Sequence, residues 1–203
     1  SQKALHRLLE SGNYKRILVH FLDEIMWNVL KNYSSEIDIV VWVHGSEIQP
    51  WHRRKFNYNT DEELRKAKIN SQKRMDFWVP LLSNLPKRMK LVFVSGYFAK
   101  EVMEDTGITL NPNQYSIIHN PIDTGLFNYV EKGENQRTKV LSIRPYASQK
   151  YANDLTVKAI LELSKSKYFQ DMEFMIVGAG RLFDEILEPI REFENVKIHE
   201  RFL

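Results

Sequence analysis

IDIVVWVHG, residues 37–45, is apolar at nearly every position and ends in glycine. A strand with one solvated face alternates apolar and polar residues. A run like this one suits a parallel strand covered on both faces. The neighbouring segments fit that reading. KRILVHFL (15–22) is a short run rich in branched residues, and DEIMWNVLKNY (23–33) places Ile25, Met26, Val29 and Leu30 at helical spacing. TDEELRKAKINSQKRMDFWVPLL (60–82) opens with Thr60 and Glu63, a capping-box pair, and Pro80 is expected to end or kink that helix. LVFVSG (91–96) reads as a strand and YFAKEVMEDTG (97–107) as a helix closed by Gly107; YSIIHNPID (115–123) is a strand entering a Pro turn.

Polar residues gather at EKGENQRTK (131–139), the best linker in the chain. Beyond it come a strand at 140–143, a helix at 153–166, a strand MEFMIVGAG (172–180), a helix at 181–193 and a strand NVKIHE (195–200). Strand and helix alternate throughout, so the fold class is α/β with parallel sheets. The expected organisation is the C-terminal part of a first Rossmann-like domain over 1–124, a linker over 125–137 and the first part of a second domain over 138–203. The second part holds about three strands, whereas a doubly wound sheet has about six. The chain is therefore expected to be an internal segment of a longer protein.

The 203 residues are 43% hydrophobic and 27% charged, the balance of a folded protein. With no cysteine there are no disulfides and no thiolate metal sites. The net charge of +3 is unevenly spread. Between His52 and Lys90 stand eleven Lys/Arg against four Asp/Glu, and elsewhere eighteen against twenty-two. Basic residues with Trp51, Phe77 and Trp78 among them suit an anionic membrane surface, or else form a solvated helix face with tryptophan in the core.

In parallel α/β sheets, ligands bind outside the carboxyl ends of the strands. That rule selects His44-Gly45-Ser46-Glu47, Ser95-Gly96, His119-Asn120-Pro121, Arg144 to Lys150, and Gly178-Ala179-Gly180. Arg144 supplies a planar fork and Lys150 a point charge six residues on, a pair suited to a diphosphate or equally to a solvated loop. VGAGR (177–181) reads as a strand, then Gly-x-Gly at the start of a helix, which would let a phosphate or nucleoside approach; a tight strand-to-helix turn explains it as well. A neutral His44 can bond a sugar hydroxyl or handle a proton, or simply cap a strand. Glu47 has the chemistry of a base or hydroxyl acceptor, and also that of a surface carboxylate. His119-Asn120-Pro121 reads chiefly as a turn.

VSGYFAKEVMEDTG (94–107), YSIIHNPIDTGLF (115–127), KVLSIRPYASQKYANDLTVKAILEL (139–163) and FMIVGAG (174–180), taken in order, resemble the family 4 retaining glycosyltransferases of the GT-B fold. WVHGSEIQPW (42–51) is similar to that family's His-containing strand end. The resemblance implies two Rossmann-like domains facing a cleft and a nucleotide-sugar donor held by the second. It implies transfer with retention of a hexosyl group to a glycan or lipid-linked acceptor, in cell-surface polysaccharide or glycoconjugate synthesis. Arg144 and Lys150 match the pair that holds the donor diphosphate, Gly178 and Gly180 the turn near the nucleotide, and His44 a histidine near the reacting sugar. Gly45, Glu47 and Asn120 would line the acceptor side. No cofactor and no metal are implied, nor any nucleic-acid partner. The location would be cytoplasmic, peripheral on the inner face of the membrane through region 52–90.

The chain departs from the pattern at Ile143, Tyr151 and Pro121, where the family has glycine. The family's paired glutamates are expected beyond Leu203 and its first Gly-rich loop before Ser1, so little turnover is expected from these 203 residues alone. The alternatives are a non-catalytic nucleotide- or anion-binding module, and a sugar-nucleotide epimerase of the same architecture, similar to the UDP-N-acetylglucosamine 2-epimerases.

Overall fold

The computed structural model describes residues 2–201. The paired glutamates and first Gly-rich loop expected from the resemblance lie outside the described residues. The chain divides into two compact units, Ser1–Ile122 and Asp123–Leu203. The first holds helix α1 (Gln2–Ser11), β1 (Arg16–His20), α2 (Glu24–Leu30), β2 (Asp38–Val43), α3 (Asp61–Ser83), β3 (Met89–Phe93), α4 (Gly96–Thr106) and β4 (Tyr115–Ile117). Its four strands pair in parallel in the order β1-β2-β3-β4. The second holds β5 (Lys139–Ile143), α5 (Asn153–Leu163), β6 (Glu173–Gly178), α6 (Phe183–Leu187) and β7 (Val196–Glu200), with parallel order β5-β6-β7. The α/β class with two parallel sheets is thus observed.

In both sheets the strands follow one another in chain order. Crossovers of one hand then bring every helix to the same face. Burial follows: Ile39, Val41 and Val43 of β2 are fully enclosed, while Leu18 of β1 points to the opposite face and is 61% exposed. In the second unit Phe174 and Ile176 are enclosed, and Leu141, Ile143 and Met175 remain exposed on the other face.

Local signals explain most boundaries. Asp23 caps α2 by accepting from Met26 N at 2.7 Å. The capping box of α3 is complete: Thr60 Oγ1 accepts from Glu63 N at 3.2 Å, and Glu63 Oε2 accepts from Thr60 N at 3.2 Å. Ser95 caps α4, and Gly107 ends it with φ 69°.

Sequence and structure are compared at four places. Pro80 does not end α3, which continues to Ser83. Proline removes one helical hydrogen bond near the end, and burial of Leu81 and Leu82 holds the last turn. The stretch 115–123, expected as a strand entering a Pro turn, is strand over Tyr115–Ile117, the length paired with Leu91–Phe93. The helix expected over 181–193 is five residues of α-helix followed by a 3-10 turn, Glu188–Ile190, that contains Pro189. Helix α1 has no counterpart among the elements expected from sequence; it packs Leu9 and Leu5 on the first core.

Candidate functional site

In the first unit the residues of interest gather where β1 and β2 end. The parallel register sets His20 opposite Trp42, and His44 follows one residue beyond β2. His20 Nδ1 lies 2.8 Å from His44 Nε2. Four rings meet in series, face to face at the two ends and edge to edge between the two histidines. Trp42 lies against His20 at 5.4 Å between centroids, His20 against His44 at 5.0 Å, and His44 against Phe21 at 4.3 Å. Phe21 reaches that place with φ 55°, the left-handed region, which costs a residue with a β-carbon about 1–2 kcal/mol. Strain of this kind persists where the surroundings over-determine it, and it gathers at functional sites.

The backbone after β2 is tied just as closely. Glu47 Oε1 accepts from the His44 amide at 2.6 Å, and its Oε2 is enclosed without a protein partner. Glu47 is half-buried, so the reading of a surface carboxylate is corrected: its charge is spent on shaping the His44 loop. Gly45 takes φ 117°, and its carbonyl accepts from Ile48 N at 3.1 Å and Gln49 N at 2.8 Å. Trp78 is fully enclosed and donates its indole N–H to the Glu47 carbonyl at 2.8 Å. Trp78 therefore belongs to the core and not to a membrane-facing surface.

Asn120 lies in the exposed stretch after β4. His119 Nδ1 donates to the Val94 carbonyl at 2.9 Å, a structural tie across the sheet end.

The basic region is partly neutralised. Arg53 Nε bonds both oxygens of Asp105 at 3.1 and 3.0 Å, and Nη1 bonds Glu101 at 3.0 Å. The hydrogen bond from Arg53 to Asp105 holds the guanidinium above its ordinary pKa. Arg74 donates to the Gln49 carbonyl at 3.1 Å, and burial pulls its pKa below the ordinary value. Lys68 sits over the Trp51 ring at 4.9 Å. Among the described residues, no helix is long and apolar enough to cross a membrane.

In the second unit the loop after β5 is built around Tyr151. Arg144 Nη1 donates to the Tyr151 carbonyl at 3.0 Å, and Lys150 Nζ lies 4.7 Å from the Tyr151 ring centroid. Both cations remain exposed. One donor of the Arg144 fork is used out of five. The loop continues through Ala152 at φ 51° into α5, where Asn153 Nδ2 bonds the Pro145 carbonyl at 2.9 Å. Three polar oxygens here are enclosed without a protein partner: Tyr146 Oη, Ser148 Oγ and Asn153 Oδ1. Burial pushes the Tyr146 phenol upward in pKa.

Gly178 and Gly180 stand beside this loop. A β-carbon on Gly178 would overlap the Arg144 carbonyl oxygen, and one on Gly180 would lie 2.5 Å from the Tyr146 carbonyl carbon. Gly180 also needs φ 144°. The protein's own backbone thus accounts for both glycines. The expected helix start at Gly-x-Gly is corrected as well: α6 begins only at Phe183, after a turn, and is too short to present a helix N-terminus to an anion.

Sequence reasoning missed His20, Phe21 and Arg181, whose Nε donates to the Ala147 carbonyl at 3.1 Å and braces the loop. His20 was findable, since it ends β1 just as His44 follows β2. The structure brings His44, Gly45 and Glu47 together in one unit, and Arg144, Lys150, Gly178 and Gly180 together in the other.

No protein-family model matches this chain, and no curated protein matches it. Among solved structures it is similar to TarM, with a TM-score of 0.62 at 13% identity over 99% of this chain and 36% of that one. It is also similar to a point mutant of S. aureus TarM in complex with fondaparinux, alpha-GlcNAc-glycerol and UDP, with a TM-score of 0.51 at 14% identity over 88% of this chain and 31% of that one. The chain therefore spans about a third of the length of the structures it matches. At these identities the likeness establishes the fold alone: parallel-sheet α/β units of the kind found in TarM.

Proposed function

We propose that this chain is the core of a glycosyltransferase that moves a hexosyl group from a nucleotide-sugar donor, with retention, to a glycan or lipid-linked acceptor. The observation that carries the reading is the loop after β5. Arg144 and Lys150 converge on Tyr151 at the carboxyl end of a parallel strand, the place where α/β sheets take ligands. A diphosphate there meets a fork and a point charge, and both stabilise negative charge that develops on a leaving nucleotide. These cations supply that stabilisation without a metal. His44 handles a sugar hydroxyl, with Gly45 and Glu47 shaping its loop. Asn120 extends the acceptor side.

Cell-surface polysaccharide or glycoconjugate synthesis is the setting that fits. The location is cytoplasmic, held at an anionic membrane by the part of the basic region not spent on ion pairs: Arg54 and Lys55 beside the exposed Phe56.

The test is calorimetric titration of the chain with UDP and UDP-sugars. Binding is expected to weaken in Arg144→Ala and in Lys150→Ala by about 1.5–3 kcal/mol each, the range of charged hydrogen bonds. Affinity equal to the parent's in both variants would sink the reading. Sugar transfer and sugar-nucleotide conversion, assayed with and without acceptor in the longer protein of which this chain is expected to be a segment, then separate transfer from epimerisation. Vesicle co-sedimentation that ignores salt and anionic lipid would remove the membrane part.

A further inference from the structure

His20 carries a role beyond its strand. Nδ1 of His20 and Nε2 of His44 are 2.8 Å apart, so one nitrogen carries a hydrogen and the other offers a lone pair. Two N–H groups cannot face each other at that distance, and two lone pairs gain nothing. The arrangement is held from both sides. Trp42 stacks on His20 and Phe21 on His44, at interplanar angles of 19° and 21°. Phe21 keeps a left-handed backbone while its ring covers His44, and Glu47 Oε1 fixes the His44 amide. The histidine is thus fixed through its ring nitrogen, one ring face and its backbone.

We propose that His20 is the positioning residue of His44. It holds one proton between the two rings and locks His44 in a single tautomer. It leaves Nδ1 as the one His44 ring nitrogen offered to a ligand hydroxyl. The identity of that ligand as a sugar rests on the glycosyltransferase reading; the pairing does not. A ring tied at one nitrogen presents the other at a set angle and in a set tautomer, whereas a free surface imidazole samples both tautomers and several rotamers.

The test is imidazole NMR on the ¹⁵N-labelled 203-residue chain at neutral pH, without ligand. The expected result is a one-tautomer pattern for His44, with a ring N–H protected from exchange. His20→Phe retains a stacking ring and removes the nitrogen, and is expected to return His44 to the mixed pattern of a free imidazole. His20→Asn places an amide near the lost Nδ1 and is expected to restore a single tautomer. A His44 pattern that is mixed in the parent, or unchanged in His20→Phe, overturns the proposal. If His20→Phe does not fold, a ¹⁵N–¹⁵N coupling across the hydrogen bond in the parent decides the matter, its presence supporting the pair and its absence overturning it. The UDP-sugar titration is read at Arg144 and Lys150. Its failure alongside an intact imidazole pattern removes the sugar and keeps the positioning role.

Discussion

The α-carbon of Gly178 packs against the carbonyl oxygen of Arg144 so closely that a β-carbon would overlap that atom. The end of β6 and the loop after β5 therefore share space only because residue 178 has no side chain. Gly178→Ala is expected to destabilise the second unit by about 1–3 kcal/mol, the range for overpacked sites. Gly96 is the matched control. It lies in the first turn of α4 with nothing within 4 Å of an added β-carbon, so Gly96→Ala should gain about 0.4–1 kcal/mol from the unfolded chain. Denaturant midpoints of the two variants, moving in opposite directions, check both claims.

Arg53 joins the 3-10 segment Trp51–Asn57 to α4 through Asp105 and Glu101. The Asp105 side chain is only 8% exposed, so it loses its counter-charge in Arg53→Ala. The expected loss is about 1.5–3 kcal/mol, the range of hydrogen bonds to charged groups. Arg53→Lys should recover little of it, because one ammonium cannot reproduce the guanidinium fork. Urea unfolding of the three chains measures this.

Ala152 links the Arg144–Tyr151 loop to α5 in left-handed backbone, at φ 51°. Alanine enters that region at about 1–2 kcal/mol, and glycine enters freely at an entropy cost of about 0.5–1 kcal/mol in the unfolded chain. Ala152→Gly should therefore be neutral or stabilising by up to about 1 kcal/mol, against the usual effect of a new glycine. A fall in thermal midpoint would contradict it.

Glu173 begins β6 and bonds Lys197 of β7 at 2.8 Å, with Lys139 of β5 at 4.0 Å. The Lys197 hydrogen bond holds its carboxyl below the usual glutamate range. A depressed carboxylate adds stability that is present above the unfolded-state pKa and is lost as pH falls through the folded-state one. Glu173→Gln should therefore unfold more readily than the parent at neutral pH, and the two should converge in acid below the glutamate range. A difference that persists unchanged at low pH would show that the pair has no part in it.

The glutamate and threonine that start α3, the glycine that ends α4 and the apolar runs of β2 and β6 were legible because each acts over a few residues. Boundaries failed where distant packing overrode them. Pro80 sits inside a helix because Leu81 and Leu82 are buried beyond it, and β4 stops at Ile117 where its partner β3 stops. The site divides in the same way. Strand ends pointed to His44 and to Arg144 with Lys150, since any parallel sheet offers its carboxyl edge.

What the sequence by itself determined is the alternation of strands and helices, their parallel class, and the loops that carry reactive side chains. Caps, periodicity and apolar runs are local, and the chain writes them in order. Only the tertiary structure decided that His20 meets His44, that Asp105 claims Arg53, and that Gly178 yields to Arg144. Those partners stand between 24 and 52 residues apart, and they meet through strand register and helix packing, which no short window of sequence contains.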